Sequence, residues 1–256
     1  MNSTPPSWET MYADEKFSWF WPPAYEPDWD PPELENILSL LDPQPDARIL
    51  DLACGLGWLT IPLALRGFQV TGLDLSTALL TRARQAAEQA GAAIEWVHGD
   101  IRHLPDEWTD SFDLVTFTLS EFGCFDEQSD NQQVLNEVAR VLQGNGRFLL
   151  DIVVNRDGLV NQGDTVNYLE GDGFFVVQEW SLDLLSGIHK RVFRWYDQGQ
   201  LQETQWQIQA YTAPEVKQMI EQAGFQVLGA YSSLSGKALS RDSDSMTFLA
   251  QKKING

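Results

Sequence analysis

The stretch that decides the fold is Arg48-Ile-Leu-Asp-Leu-Ala-Cys-Gly-Leu-Gly57. Its first half is mostly apolar and predicts a buried strand, and Gly55 and Gly57 predict a tight turn after it. The segment that follows, residues 58–65, is amphipathic and predicts a helix. A strand, a glycine turn and a helix in this order bring backbone N–H groups up to a nucleotide-like ligand. The stretch therefore predicts an α/β fold with a ligand site at the turn.

The sequence on either side continues this alternation of apolar strands and amphipathic helices. Further strands are expected at residues 69–73, 93–97, 112–118 and 147–154. Near-continuous apolar strands joined by helices predict a parallel sheet that is covered on both faces, with right-handed crossovers. The pattern resumes with a helix capped by Thr212 and Glu215, and two last strands are expected at residues 225–231 and 246–251.

Between the two parts of this core, the residues alternate with period two. Residues 174–184, 190–196 and 202–211 place apolar and polar side chains on opposite faces, which predicts an antiparallel meander. We therefore expect four parts in the chain. They are an aromatic and proline-rich N-terminal arm or lid (1–30), a ligand-binding core (31–155), an antiparallel β insertion (156–211) and the C-terminal part of the core (212–256).

Composition narrows the class of partner and the compartment. The 256 residues contain 17 Lys and Arg against 37 Asp and Glu, a net charge of −20, and a phosphate backbone would be repelled. Two cysteines and three histidines show neither a disulfide framework nor the spacing of metal ligands. We see no signal peptide and no apolar stretch long enough to span a bilayer. We expect a cytoplasmic protein, monomeric or homodimeric, without nucleic acid, membrane or metal.

Three aspartates end three successive strands of this pattern: Asp51, Asp74 and Asp100. The carboxyl ends of parallel strands lie at one edge of a sheet, so these acids are expected beside the glycine turn. Asp74 fits a carboxylate that accepts hydrogen bonds from ribose hydroxyls, and it equally fits a cap for the helix that starts near Ser76. Asp100, followed by apolar Ile101, fits recognition of an exocyclic amine, or a loop residue bonded to its own turn.

One position argues against a nicotinamide dinucleotide. The fingerprint for that ligand has a third glycine three residues after the second, and this chain has Thr60 there. The glycine turn, the missing glycine and the three acids together favour a different nucleotide-like cofactor.

These motifs together resemble those of the class I S-adenosylmethionine-dependent methyltransferases. Asp51-Leu-Ala-Cys-Gly-Leu-Gly57 is similar to their first motif, and Val70-Thr-Gly-Leu-Asp74-Leu-Ser76 is similar to their second. The later motifs of the family are similar to three further segments of this chain: Gly99-Asp100-Ile-Arg-His-Leu-Pro105, Phe112-Asp-Leu-Val115 and residues 140–151. The resemblance covers residues 31–155 by motif and residues 212–252 by topology alone.

The resemblance implies a fold and a cofactor. The fold is a doubly wound, Rossmann-like sheet of seven mostly parallel strands in the order 3-2-1-4-5-7-6, with strand 7 antiparallel, and here with the β insertion after strand 5. The cofactor is S-adenosyl-L-methionine, which leaves as S-adenosyl-L-homocysteine, and no metal is required. The activity implied is transfer of a methyl group by in-line displacement.

The resemblance also implies roles for individual residues. Asp51 is expected near the cofactor's amino group, Asp74 at the ribose and Asp100 at the base. Leu75 is expected to pack on the adenine, and the residues at the end of strand 4 to line the floor near the sulfonium. Cys54 is interpreted as a small packed residue. The cofactor-binding set is Asp51, Ala53, Cys54, Gly55, Gly57, Asp74, Leu75, Ser76, Asp100, Ile101, Arg102, Phe117, Thr118 and Leu119.

The methyl acceptor is expected to contact residues outside this core. Glu121 follows strand 4 and could act as a base or bind a cationic acceptor, or it could be a carboxylate at a helix start. The aromatic arm contributes Trp21 and Tyr25, and it is either a lid or a loosely packed segment. The insertion contributes Tyr168, Arg194 and Tyr211, although an arginine at such a position is more often a solvated strand residue.

The sequence thus predicts a methyltransferase that acts on a small molecule. Three alternatives remain: a protein that binds S-adenosylmethionine without turnover, a methyltransferase acting on a protein, and, less favoured, a nicotinamide oxidoreductase.

Overall fold

The fold is seen in a computed structural model that describes residues 31, 33–120, 122–125, 127–171, 174–197 and 199–254. In chain order, its elements up to the insertion are α1 (Leu34–Leu41), β1 (Arg48–Leu52), α2 (Thr60–Leu65), β2 (Gln69–Asp74), α3 (Thr77–Ala90), β3 (Glu95–His98), β4 (Phe112–Ser120), α4 (Gln128–Val141) and β5 (Leu142–Ile152). The insertion and the last part contain α5 (Arg156–Gln162), β6 (Thr165–Gly171), β7 (Phe174–Leu182), β8 (Ile188–Asp197), β9 (Gln200–Gln209), α6 (Ala213–Gln222), β10 (Phe225–Tyr231) and β11 (Met246–Lys252). The N-terminal arm, residues 1–30, lies outside the described residues.

Seven strands form the main sheet in the order β3-β2-β1-β4-β5-β11-β10. The pairs from β3 to β5 are parallel, and β11 runs antiparallel to both of its neighbours. The predicted order and the antiparallel last strand are therefore confirmed. β1 lies between β2 and β4 and is parallel to both, so the carboxyl ends of these three strands meet at one edge.

The two faces of this sheet are buried by different helices. Along β1, Leu50 and Leu52 point to one face and Ile49 to the other, as expected for a strand buried on both sides. The first face packs against α4 and α6 through Val134, Leu135, Val138, Val216 and Ile220. The second packs against α1 and α2 through Leu34, Ile37, Leu41 and Leu63. Each fully buried side chain of this kind contributes about 1.5–3 kcal/mol, so the core holds β1 rigidly in place.

The insertion forms a second, four-stranded antiparallel sheet in the order β6-β7-β8-β9. Its predicted alternation is confirmed on β9, where Trp206 and Ile208 are buried and pack with Val154 and Leu159. The insertion also contains two elements that the sequence did not predict. Helix α5 precedes the meander, and β6 adds a fourth strand at one edge of the sheet.

The second sheet is fastened to the carboxyl edge of the main sheet. The backbone N–H of Gln209, at the end of β9, donates to the carbonyl of Gly123 in the loop after β4, at 2.9 Å. The N–H of Arg156 donates to the carbonyl of Tyr211 at 3.0 Å. The insertion is therefore attached beside the strand ends where a ligand site is expected. Among the described residues, no helix has the length and apolar character to span a membrane.

Candidate functional site

The turn after β1 is built from residues with left-handed backbone conformations. Ala53, Gly55 and Gly57 have φ values of 51°, 53° and 81°. At Gly57 a Cβ atom would lie 2.9 Å from the Trp96 ring and 3.1 Å from Ile61, so glycine is needed there for space as well as for conformation. At Gly55 a Cβ would meet no atom within 4 Å, so the space beside its backbone is open. Backbone N–H groups at such a turn can approach a ligand closely.

Asp74 ends β2 beside this turn. One oxygen, Oδ2, accepts the backbone N–H of Gly55 at 2.8 Å, and the other accepts the N–H of Ser76 at 2.8 Å. Burial raises the pKa of this carboxyl, although the two backbone bonds oppose the rise. The side chain thus does cap the turn before α3. A carboxylate has about four acceptor positions, so capacity for ligand hydroxyls remains, and the two interpretations of Asp74 are compatible.

Asp51 is 2% exposed and lies next to the same turn. Its two oxygens accept hydroxyl groups from Thr60 at 2.6 Å and Thr116 at 2.7 Å. Burial, with a smaller contribution from the charge of Asp74, raises the pKa of Asp51 to about 6, despite the two hydroxyl bonds. Thr60, at the position where a dinucleotide site would have glycine, therefore orients the carboxylate. Thr116 was missed by sequence reasoning, although a threonine within an apolar strand is a usable signal.

Cys54 is buried close to both of these acids. Burial and the charges of Asp51 and Asp74 raise the pKa of its thiol well above the ordinary value. The thiol is therefore protonated at neutral pH, which disfavours a role as nucleophile. The backbone of Cys54 shapes the turn: its N–H donates to Leu73 and its carbonyl accepts from Gly57.

Asp100, in the loop after β3, is held by Arg102. The Nε of Arg102 lies 3.2 and 3.1 Å from the two carboxylate oxygens, and Nη2 lies 2.7 Å from Oδ2. The backbone N–H of Arg102 also donates to Oδ1 at 2.9 Å. Burial tends to raise the pKa of Asp100, but the bonds and charge of Arg102 outweigh it and the pKa is lowered. Asp100 is therefore a fixed, ionised acceptor.

The remaining candidates on this side lie around the same edge. Ser76 caps α3 through its hydroxyl, which accepts the N–H of Leu79 at 3.3 Å, as its position in the sequence predicts. Leu75 is half-buried, and its carbonyl lies 2.9 Å from Nε2 of His98. Ile101 is half-buried and packs on the larger core cluster.

The end of β4 carries an unusual backbone. Leu119 has a φ of 48° and is 45% exposed, and the register between β4 and β5 shifts beside it. Its N–H donates to Oδ2 of the buried Asp151 at 3.1 Å, and Thr247 donates to Oδ1 at 2.6 Å. Strained backbone of this kind is typical of functional sites. The side chains of Phe117 and Thr118 are buried, so of the three residues that the sequence predicts for the floor, Leu119 has the accessible side chain. Asp151 was not singled out from the sequence, where one acid in an apolar strand is the available signal.

The acceptor candidates are distributed differently. Tyr211 is buried beside the loop after β4, with its ring 5.6 Å from that of Phe122. Tyr168 and Arg194 lie on the face of the second sheet opposite Trp206. Tyr168 is 66% exposed, and Arg194 bridges two glutamates of neighbouring strands. The other candidates, Glu121, Trp21 and Tyr25, lie outside the described residues. All six assignments stay predictions.

The cavity and metal-ligand groups of the described residues do not point to a second ligand site. A cavity of about 240 Å³ lies at the opposite edge of the sheet, where β4 and β5 begin, and its lining includes Asp42, Asp113 and Arg147. Ligands of open α/β sheets bind at the carboxyl ends of the strands, so this cavity is on the wrong edge. The described residues contain no group of three or more His, Cys, Asp or Glu placed to hold a metal ion.

Comparison with known sequences shows which proteins this chain is similar to. A family model described as a methyltransferase domain matches residues 49–146. The chain is 30% identical over 219 residues to a putative methyltransferase of Geobacillus sp. (strain WCH70), covering 80% of this chain and 84% of the relative. A shorter match, 42% identical over 77 residues, is to a 23S rRNA (uracil(1939)-C(5))-methyltransferase of Nitrosospira multiformis. It covers 29% of this chain and 18% of the relative.

Solved structures share the fold at low identity. The CcbJ methyltransferase from Streptomyces caelestis matches with a TM-score of 0.78 at 18% identity, covering 96% of this chain and 99% of that one. CalS10, an amino pentose methyltransferase from Micromonospora echinaspora, matches with a TM-score of 0.67 at 20% identity, covering 88% and 92%. With the strand order and the long match to the Geobacillus relative, these comparisons show that the chain belongs to the class I S-adenosylmethionine-dependent methyltransferases.

Proposed function

We propose that this methyltransferase uses the site at the β1 turn to bind S-adenosylmethionine and methylates a small molecule. The donor set fits this cofactor. Its ammonium requires a carboxylate, its ribose requires a hydrogen-bond acceptor beside a turn, and its adenine requires an acceptor for the exocyclic amine. Asp51, Asp74 and Asp100 supply these groups at one sheet edge, next to the open backbone of Gly55.

Each protein group has a defined task in this proposal. Asp51, oriented by Thr60 and Thr116, holds the ammonium, and Asp74 holds the ribose while it keeps the N–H of Gly55 in place. The cofactor itself supplies a methyl group on a positively charged sulfur. Leu119, whose backbone is fixed by Asp151, forms the floor beside the acceptor. Positioning of this kind supplies much of the rate when the acceptor is a good nucleophile. Glu121 is needed as a base only if the acceptor must lose a proton.

The observation that carries the choice of a small-molecule acceptor is the extent of the structural match. The match to CcbJ covers 96% of this chain, so it includes the insertion as well as the cofactor-binding core. CalS10, named as an amino pentose methyltransferase, is also matched over most of its length. The insertion is the part from which acceptor contacts are expected, and it is attached beside the strand ends.

RNA is the second candidate acceptor because of the match to an rRNA methyltransferase. That match covers 18% of the relative, so most of that protein has no counterpart in the aligned segment. The net charge of −20 also opposes binding to a phosphate backbone. We therefore favour the small molecule over RNA.

The test has two stages. Calorimetry with S-adenosylmethionine and with NAD⁺ measures cofactor binding, and binding of NAD⁺ alone would contradict the proposal. The protein is then incubated with S-adenosylmethionine that carries a radiolabelled methyl group. Separate incubations contain a panel of small amines, alcohols and amino sugars, rRNA, or a protein extract. Transfer to a small molecule supports the proposal. Transfer to RNA or protein alone contradicts the acceptor class, and tight cofactor binding without any transfer supports a non-catalytic binding protein.

A further inference from the structure

Arg102 makes an unusual set of contacts next to the predicted base-binding acid. Its guanidinium takes both oxygens of Asp100, and its third nitrogen, Nη1, donates to Asp130 in the first turn of α4 at 2.6 Å. Its Cζ lies 4.9 Å from the centre of the Phe125 ring. The Arg102 side chain is 18% exposed, against 24% for Asp100 and 34% for Asp130. The guanidinium is therefore fixed from three directions.

These contacts do more for orientation than for stability. Ion pairs that remain partly exposed typically contribute little to stability. A planar guanidinium, in contrast, imposes a definite geometry on a carboxylate that it grips with two nitrogens. Arg102 is held by Phe125, in the loop after β4, and by Asp130, in α4, so the Asp100 carboxylate cannot rotate without breaking these contacts.

We propose that Arg102 is the residue that makes this site select a 6-aminopurine, by fixing the Asp100 carboxylate as an acceptor for the exocyclic amine. The inference rests on the proposed function, in which Asp100 meets the base. The carboxylate accepts but cannot donate, so it attracts an amine at this position and repels an oxo group. Arg102 is thus a positioning residue that acts through Asp100.

The chemistry predicts a specific discrimination. S-adenosylhomocysteine carries the 6-amino group, and S-inosylhomocysteine carries an oxygen in its place. A hydrogen bond to a charged group contributes about 1.5–3 kcal/mol, which corresponds to roughly tenfold or more in affinity. If the carboxylate were free to turn away from the 6-oxygen, S-inosylhomocysteine would bind less weakly. The ratio of its dissociation constant to that of S-adenosylhomocysteine would then fall.

The test measures both dissociation constants by calorimetry and compares their ratio within each variant. We expect wild type to favour the amino compound about tenfold or more. Arg102→Gln and Arg102→Lys should each lower that ratio at least several-fold, the second because an ammonium cannot grip both oxygens. Asp100→Asn should remove the preference. Lys217→Gln deletes a positive charge from the exposed face of α6 and should leave the ratio unchanged.

A ratio within one variant cancels any general loss of affinity or stability, which a purely structural role would produce. The inference is overturned if both Arg102 variants keep the wild-type ratio, or if wild type binds the two compounds equally. Absence of S-adenosylhomocysteine binding by wild type would instead overturn the proposed function. The two failures are therefore distinguishable.

Discussion

At the scale of single residues, the site is defined by buried carboxylates whose oxygens are already partly used. Asp51 bonds two hydroxyls, and Asp74 bonds two backbone N–H groups. A buried charge is tolerated when such bonds satisfy it, and the orientation of each carboxylate is then set before a ligand arrives. Preorganisation of this kind lowers the cost of binding.

Removal of the Asp74 carboxylate should weaken cofactor binding. We expect Asp74→Ala to raise the dissociation constant for S-adenosylmethionine about tenfold or more, through loss of at least one charge-assisted hydrogen bond. The matched control is Asp113→Ala, which also removes a carboxylate bonded to a backbone N–H, that of Arg48, at the other edge of the sheet. Calorimetry on both variants decides. Equal affinities for Asp74→Ala and wild type would exclude the ribose role.

The pKa of Asp51 predicts how binding depends on pH. With a pKa of about 6 the side chain is mostly neutral at pH 5 and mostly ionised at pH 7. If the carboxylate holds the cofactor's ammonium, binding requires the ionised form and should weaken roughly tenfold from pH 7 to pH 5. Asp74, whose pKa is also raised, acts in the same direction.

Asp51→Asn separates the two contributions, because it removes one titrating group and keeps a similar shape. Its dissociation constant should be higher at pH 7 and should change less between pH 7 and pH 5 than that of wild type. Titration calorimetry across this range gives both numbers. The same slope in variant and wild type would mean that Asp51 does not meet the ammonium.

At the scale of elements, the loop after β4 joins the parts of the molecule that surround the site. Gly123 donates to Oδ1 of Asn131 on α4 at 3.0 Å and accepts from Gln209 at the end of β9. Phe125 of the same loop lies under Arg102. Described residues of this loop therefore contact the insertion, α4 and the Arg102 side chain next to Asp100.

Substitution of Gly123 tests how tightly this junction is built. Its φ is 106°, and a Cβ atom would lie 2.2 Å from the carbonyl oxygen of Gln209. Gly123→Ala should lower the free energy of unfolding by about 1–3 kcal/mol, since the backbone of β9 must move. Gly91→Ala is the control, because Gly91 has a φ of 72° but open space at its Cβ. Urea denaturation of both variants should show the larger loss at Gly123, and equal losses would refute the steric argument.

The elements also differ in how far the sequence could predict them. Asp74 at the end of β2, and Asp51 one residue before the end of β1, were predictable because apolar runs and glycine turns are local signals. Asp100 was expected to end the third strand, but it lies in the loop two residues beyond β3. Helix α5 was missed because it has seven residues with Gly158 in its interior, and glycine is there because a Cβ would lie 2.5 Å from the carbonyl of Ser243. Thr116 and Asp151 each stand out locally as a polar residue in an apolar strand, but their partners, Asp51 and Leu119, lie in distant segments, so the sequence does not reveal the contacts themselves.

At the scale of the whole molecule, the net charge and the acids of the site favour the same kind of ligand. The net charge of −20 spreads a negative field over the surface, which opposes polyanions and favours cationic ligands. The site itself presents three acids at one edge, and the cofactor proposed for it carries a sulfonium and an ammonium. Global and local electrostatics therefore agree on a positively charged small ligand.

This charge also predicts how salt affects stability. Self-repulsion destabilises the compact state, and the Debye length falls from about 30 Å at 0.01 M to about 8 Å at 0.15 M ionic strength. If screening relieves about 1 kcal/mol, the Tm should rise by roughly 2–4 °C over this range. NaCl and KCl should act alike at equal ionic strength. A Tm that falls would mean that ion pairs such as Arg102 with Asp100 and Asp130 outweigh the repulsion, since salt weakens those contacts.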